Sequence, residues 1–421
     1  MTTLQDIALT LQGYDPQALK MADANAFIGQ LVAPVTGLET RPLRQCLGCV
    51  LAEDLVSPVS VPAHDNSAMD GFAFSGAALP PDAPLQLRIA GTALAGKGWT
   101  GSLASGECLK IMTGALLPPG LDTVVPLELV RVDGDVVTIP AGTVRPGDNR
   151  RLCGEDLMKG GVALARGQVL TPAALGLAAS LGQGHLVVVR RLKVAYLSTG
   201  DEVLRVDEAP REGAVYDSNR YTVTGLLERL GCEVVELGVV RDDPAVLEAA
   251  CRSAAAQADV VISSGGVSVG EADFTKSMMA KLGDVVFWRI AMRPGRPFAV
   301  GRIGSTVLFG LPGNPVAVMV TFLTLVRPAL LRMMGAQAQE LPMLQAHSAE
   351  PMRKKPGRTE YQRGIVSTGP DGRLRVRTTG NQGSGVLSSM VQANGLIVLH
   401  HAQGNVAVGD LVDVMMFHGA V

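Results

Sequence analysis

The sequence predicts a multidomain α/β-plus-β chain: a doubly wound α/β domain, an inserted mostly-β domain, a discontinuous helical domain and a small C-terminal β-barrel. Three observations carry this. Strand and helix patterns alternate from Arg191 to about Met334, the texture of a largely parallel sheet covered by helices. Two other regions, from about Val56 to Gly147 and from about Met343 to the end, hold short apolar runs broken by Gly, Pro and Asp. With 421 residues, about two to four domains with ample core are expected. The implied boundaries are 1–53 with 148–190 for the helical part, 54–147 for the β insertion, 191–335 for the α/β domain and 336–421 for the barrel.

Composition excludes several function classes. Hydrophobic residues make up 47% and aromatics only 4%, so the core is expected to be aliphatic. A formal net charge of −2 gives no bulk electrostatic case for nucleic acid or an anionic membrane. The start, MTTLQDIALTLQGYD, has acidic and polar residues where a signal peptide would be basic and then apolar. The most apolar stretch, Val316 to Leu331, contains Arg327 and breaks at Pro328, so no membrane span is expected. These features point to the cytosol. Of the six cysteines, only Cys46 and Cys49 form a C-x-x-C pair. Zinc would need a second pair or suitably spaced His. The flanking RPLRQCLGCVLAEDL reads as helical, so these thiols are expected to pack rather than bind, and His400–His401 has no ligand cluster nearby.

Residues 1 to about 53 read as helical, with apolar spacing through Ala26, Ile28, Leu31 and Val32. LQLRIAG (85–91), CLKIM (108–112), DTVVPLE (122–128) and DVVTIP (135–140) read as strands of the insertion. Helix returns from Thr171 to about Gly182, with Pro172 suited to a first turn. In the α/β region strands are expected at 193–197, 233–237, 259–263, 285–290 and 306–310. Helices are expected at 219–230, 244–257, 273–282 and 315–334. Beyond 343, EYQRGIVS, GRLRVRTT, GLIVLH and DLVDVMMF are separated by turn clusters, as in a small barrel.

Doubly wound sheets bind ligands beyond the carboxyl ends of their strands. Three loops fall there: STGDE (198–202), SSGGVSVGEAD (263–273) and LPGNP (311–315). In the second, Ser264, Gly265, Gly266 and Gly270 allow close backbone approach, and a helix start follows. Glu271 and Asp273 would repel a phosphate by about 4 kcal/mol at ~4 Å and an effective dielectric of ~20. Either the loop binds no anion or a divalent cation bridges the two. We favour the bridge, while spacing alone equally allows an ordinary capped turn. Asp201, Glu202, Asp242 and Asp243 add carboxylates suited to magnesium, although capping explains one of the last two and a solvated turn would explain the first two. The loops lack both G-x-G-x-x-G and a Walker motif. Arg289, Arg293 and Arg296 flank a Pro-Gly turn and present forks suited to oxyanions. In the insertion, HDNSAMDGFAF (64–74), IMTGALLPPG (111–120) and RPGDNRRLCGEDL (145–157) gather polar residues that serve either turns or a ligand.

Taken in order, HDNSAMDGFA, IMTGALLPPG, NRRLCGEDL, STGDE, YDSNR, SSGGVSVGEADFTK, RPGRPFAV and GLPGNPVA closely resemble the MoeA family of molybdopterin molybdenumtransferases, also seen as the E domain of gephyrin. The resemblance spans nearly the whole chain. It implies a four-part subunit, a homodimer, and an active site between the molybdopterin-binding α/β domain of one subunit and the insertion of the other. It implies a reaction in which adenylylated molybdopterin and molybdate, with magnesium, yield AMP and molybdenum on the dithiolene. By motif position it assigns catalytic roles to Asp65, Thr113, Asp156, Glu202, Asp242 and Asp273, the last three as magnesium ligands. Substrate or anion contacts fall to Ser264, Gly265, Gly266, Ser268, Arg289, Arg293, Arg296, Pro312, Gly313, Asn314, Arg363 and Ser384. It also implies contact with the molybdopterin adenylyltransferase and with cofactor-accepting enzymes. One departure is visible: the family often has lysines where this chain has the three arginines. Two other readings share the fold, an adenylyltransferase that makes the intermediate and a non-catalytic scaffold. The β insertion and the barrel argue against the first; the retained acidic loop residues argue against the second.

Overall fold

The computed structural model describes residues 3–266, 282–337 and 340–417. The chain forms two compact units, one of Met1–Ala52, Gly167–Thr171 and His185–Val421, the other of Glu53–Arg166 and Pro172–Gly184.

Helix α1 (Leu4–Thr10) opens with a reciprocal cap: Thr3 Oγ1 accepts the Asp6 N–H and the Asp6 carboxylate accepts the Thr3 N–H. Helix α2 (Met21–Leu31) buries Phe27, Ile28 and Leu31. The Phe27 ring meets Trp288 edge-on with centroids 5.0 Å apart, and the indole N–H donates to Tyr14 at 2.8 Å. Ring contacts running from Tyr14 through Phe27, Trp288 and Phe298 to Phe309 fasten the first helices to the sheet. The helical reading of 38–53 is corrected. Strand β1 (Leu38–Pro42) is followed by a single 3-10 turn at Leu43–Gln45. Pro42 cannot donate within a helix, and β1 finds its partner in residues 185–189. Cys46 and Cys49 are buried thiols that donate to backbone carbonyls.

The second unit holds a six-stranded sheet of β2 (Gly71–Phe74), β3 (Leu85–Ala93), β4 (Glu107–Ile111), β5 (Thr123–Pro126), β6 (Arg131–Asp133) and β7 (Val136–Ile139). Its order is β5-β2-β4-β3-β7-β6, with only β3 and β4 parallel. Strand β2 is buried on both faces, Phe72 and Phe74 on one and Ala73 on the other. In 148–190 the helical expectation holds only for α3 (Pro172–Ser180). Residues 150–151 and 162–164 pair with 66–67 and 55–56, and β8 (His185–Val189) pairs with β1. Turns at Gly154, Gly160 and Gly167, all with positive φ, interrupt any helix there.

The α/β region contains β9 (Lys193–Thr199), α4 (Ser218–Arg229), β10 (Glu233–Val240), α5 (Pro244–Gln257), β11 (Val260–Ser264), β12 (Asp284–Arg289), β13 (Pro297–Ile303) and β14 (Thr306–Leu311). The order is β10-β9-β11-β14-β13-β12. The first four are parallel; β13 runs antiparallel to both β14 and β12. The sequence reading places no strand between 290 and 306, where Arg293 and Arg296 flank a Pro-Gly turn; β13 lies there. The connection 290–296 is too short for a crossover, so the chain must return antiparallel. β12 therefore ends on the same edge as the parallel strands. The helix expected at 273–282 lies outside the described residues, Leu282 excepted.

The 315–333 stretch is helical throughout: α6 (Pro315–Thr321), a π turn (Phe322–Val326) and α7 (Arg327–Met333). The π turn sits where Pro328 removes a donor and crowds the carbonyl of Thr324. By length and composition this stretch could cross a membrane, yet 83% of its most apolar window is buried inside the protein.

Strands β15 (Met343–Ser348), β16 (Thr359–Thr368), β17 (Leu374–Thr378), β18 (Gly395–Leu399) and β19 (Leu411–Met416) form the barrel, with a short helix α8 (Ser388–Gln392) before β18. The order β16-β17-β15-β19-β18 closes through β16–β18 pairing, as expected. Ala346, Val376, Ile397 and Val414 fill it.

At the amino edge of the α/β sheet, Asp259 accepts Arg190 through two N–H groups at 2.7 and 2.6 Å and the Lys193 N–H at 2.9 Å. Burial pushes its carboxyl upward, but these partners outweigh it and the net shift is downward. A carboxyl that titrates lower when folded stabilises the fold above the ordinary carboxylate value near 4, and that gain is lost as pH falls through the folded value. Asp259→Asn is expected to lower stability at pH 7, with the gap to wild type closing below about pH 4. Equal gaps at pH 7 and pH 3 in denaturant melts would contradict this.

Candidate functional site

A cleft of about 1190 Å³ runs along the carboxyl edge of the α/β sheet. Strand order fixes what lies where. At one end, β10 and β9 deliver Asp242 and Glu202; in the middle, β11 and β14 deliver Ser264–Gly266 and Pro312–Asn314. Toward the other end, the loop after β12 brings Arg293 and Arg296, and a barrel loop adds Gln382–Gly385. The cleft is thus graded, acidic to neutral to basic.

Backbone proximity builds its floor. Gly265 has φ +90°, and a Cβ there would lie 2.4 Å from the Thr199 carbonyl oxygen. Gly200, at φ +139°, would place a Cβ 2.7 Å from the Glu202 carboxylate. At Gly265 the neighbour is fixed backbone, so the close packing requires glycine; at Gly200 the positive φ is what favours it. Under them lies a buried hydroxyl cluster: Tyr196 Oη is 2.6 Å from Ser264 Oγ and 3.1 Å from Ser198 Oγ. Burial pushes the Tyr196 hydroxyl well above its ordinary value, so it stays protonated.

Side chains tie the loops together. Asn219 Nδ2 donates to the Gly313 carbonyl at 2.7 Å, joining the start of α4 to the loop after β14. Asn314, the cap position of α6, leaves its helix uncapped and donates to Ser384 Oγ at 3.0 Å. Ser384 in turn accepts the Val316 N–H through its carbonyl. Arg363 is only 1% exposed and lies beneath the barrel loop, donating to Ser389 Oγ and to the carbonyls of Asn381 and Gly383. Burial and, secondarily, the charge of Arg293 pull its guanidinium down to about 10, so it remains charged at neutral pH. Arg293 and Arg296 are exposed in the cleft; Arg293 Nη1 is 3.9 Å from the buried Glu360 of β16.

Of the residues singled out in the sequence, the cleft gathers Glu202, Asp242, Ser264, Gly265, Gly266, Arg293, Arg296, Pro312, Gly313, Asn314 and Ser384. Arg363 supports it from below. Arg289 closes β12, pairs its backbone with Pro16 and Leu19, and does not line the cleft. Ser268, Gly270, Glu271 and Asp273 lie outside the described residues. Asp243 caps α5, accepting from Ala245 and Val246, as the simpler reading held. Asp65, Thr113 and Asp156 belong to the second compact unit. There Asp65 accepts Arg150 and, at 2.7 Å, the Cys153 N–H; the latter leads the causes that hold its carboxyl low. Thr113 donates to Asp70 through both its amide and its hydroxyl, and Asp156 is exposed. Sequence reasoning assigned no role to Tyr196, Asp217, Asn219 or Gln382. The motif YDSNR was the available signal for two of them.

A sheet of this order with its cleft at the carboxyl edge defines a doubly wound ligand-binding α/β domain, and residues 195–332 match the family model described as a probable molybdopterin binding domain. Residues 19–182 match the MoeA N-terminal region (domain I and II) and 345–417 the MoeA C-terminal region (domain IV). The molybdopterin molybdenumtransferase of Haemophilus influenzae is 42% identical over 384 residues, 91% of this chain and 95% of that protein. The chain belongs to the MoeA family of molybdopterin molybdenumtransferases. Its Bacillus subtilis counterpart is 32% identical over 89% of this chain and 88% of its own. A crystal structure of the molybdopterin biosynthesis MoeA protein of Pyrococcus horikoshii superposes with a TM-score of 0.81 at 26% identity, covering 95% of this chain and 100% of that one.

Gly265→Ala is expected to cost about 1–3 kcal/mol of stability through left-handed strain and the Thr199 clash, and to abolish ligand binding. A variant with wild-type melting and binding would refute the close-approach account.

Proposed function

We propose that this cleft takes adenylylated molybdopterin and molybdate, releases AMP and leaves molybdenum on the dithiolene, a late step of molybdenum cofactor biosynthesis. The observation that carries this reading is the charge gradient along the carboxyl edge. Neighbouring strands lie about 4.8 Å apart, so the five steps from β10 to β12 span roughly 24 Å. That length accommodates an extended nucleotide–pterin conjugate, with oxyanions held by the arginine forks at one end.

Glu202 and Asp242 follow adjacent parallel strands and both line the cleft. Among the described residues no group of three or more His, Cys, Asp or Glu is placed to hold a metal. That donor set fits magnesium, which binds through one or two carboxylates, keeps waters and takes the rest from substrate phosphates. When bound, the ion would neutralise charge on the pyrophosphate link. The chain's own contribution is positional. The glycine loops bring backbone against the ligand, Asn314 and Ser384 hold the barrel loop to the cleft, and Arg293 and Arg296 supply positive charge where molybdate is to arrive. Charge neutralisation, oxyanion attack and positioning account for the reaction, so no protein nucleophile is invoked. The proposal includes a homodimer acting in the cytosol, receiving substrate from the adenylyltransferase and passing cofactor to acceptor enzymes. Six free thiols, one of them exposed, suit a reducing compartment.

The test supplies adenylylated molybdopterin, magnesium and low molybdate, and follows AMP release and reconstitution of a cofactor-free molybdoenzyme. Wild type should do both. The Glu202→Gln, Asp242→Asn double variant should lose about a hundredfold or more in AMP release. Arg293→Ala with Arg296→Ala should raise the molybdate needed for half-maximal rate about tenfold, roughly 1.4 kcal/mol. Tight binding of the intermediate by wild type without turnover would instead support a carrier.

A further inference from the structure

Two buried acceptors in the cleft have no donor among the described residues. Asp217 is 5% exposed. Its Oδ1 accepts the Arg220 N–H at 3.1 Å and caps α4, while its Oδ2 is buried and unpaired. Asn219 stands two residues on, in the first turn of the same helix. Its Nδ2 is committed to the Gly313 carbonyl, which settles the amide orientation and leaves Oδ1 buried and unpaired. Both residues line the cleft. Native proteins rarely leave a buried carboxylate oxygen unsatisfied, and one that borders a ligand cleft is matched when a ligand supplies the donor.

We infer that Asp217 and Asn219 read the pterin, accepting from the adjacent amino and ring N–H groups of its 2-amino-4-oxo edge. The inference rests on the reading that the cleft takes an adenylylated pterin. Phosphate and molybdate offer acceptors and are repelled here. Adenine carries one amino group flanked by accepting ring nitrogens, so it would set a lone pair against one of the two oxygens. The ribose hydroxyls are the other source of adjacent donors, and the test separates the two. These residues lie outside the acidic pair and the arginines, so selectivity for the heterocycle is divided from charge handling.

The intact protein is titrated, with EDTA present, with pterin, with lumazine (an oxygen replaces the 2-amino group) and with AMP, by ligand fluorescence or calorimetry. Wild type is expected to prefer pterin over lumazine by about tenfold or more. Asp217→Asn keeps the helix cap but puts an amide donor where Oδ2 stood. It should weaken pterin about tenfold or more, and leave lumazine and AMP within about twofold. Asn219→Ala should shrink the pterin preference in the same direction. Equal binding of pterin and lumazine by wild type, or no pterin binding at all, overturns the inference without any variant. So does a loss confined to AMP, which assigns the pair to ribose, or a preference seen only when magnesium is restored, which assigns it to metal-bound water. If wild type still releases AMP from adenylylated molybdopterin while showing no pterin preference, only this subsite falls. If it releases none, the functional reading falls first.

Discussion

The cleft depends on two backbones touching where β9 and β11 end. Parallel strands there are only a strand spacing apart, and each must turn away into its own connection. Gly265 solves this with a left-handed turn laid against the Thr199 carbonyl, leaving no room for a Cβ. That contact sets the depth of the cleft floor, and through it the height at which Glu202, Ser264 and Gly313 present themselves. The buried hydroxyls of Tyr196, Ser198 and Ser264 reinforce it from below. Three hydroxyls can satisfy one another around a ring, so polar strand ends are buried without a charge.

The second constraint is the link between sheet and barrel. Arg363 spends its guanidinium on carbonyls and a serine of its own domain, holding the 381–389 segment in one shape. Asn314 gives up a helix cap to reach Ser384. A free cap is worth about 1 kcal/mol, so diverting it marks that contact as one the local helix does not need. A buried arginine lends order to a loop, and the loop lends a hydroxyl to the cleft.

The α/β core was legible because its signals are local. Aliphatic runs marked β9, β10, β11, β12 and β14, and Pro244 behind Asp243 marked the start of α5 to the residue. β13 was hidden because the arginines, Pro and Gly just before it read as loop, and its pairing with β12 and β14 makes it a strand. Residues 38–53 failed for a related reason: apolar spacing compatible with a helix was overruled by a partner strand far away in sequence. In the site, charged residues beside glycines stood out. Tyr196, Asp217 and Asn219 did not, because burial, not residue type, gives them their importance. Arg363 was singled out through resemblance alone; its supporting position is a property of the fold.

The 315–333 helix has a consequence before the protein is folded. On the nascent chain it is an apolar segment long enough for machinery that sorts by hydropathy to engage. What hides it in the native state comes from both directions: α2, already synthesised, packs against its π turn and α7, and the sheet lies beneath. Until it packs against α2 and the sheet, it presents an apolar surface. Slow docking exposes a sticky surface that chaperones must cover. The Phe27–Trp288 contact, which sets α2 on the sheet, is thus part of what keeps this apolar segment covered in the folded chain.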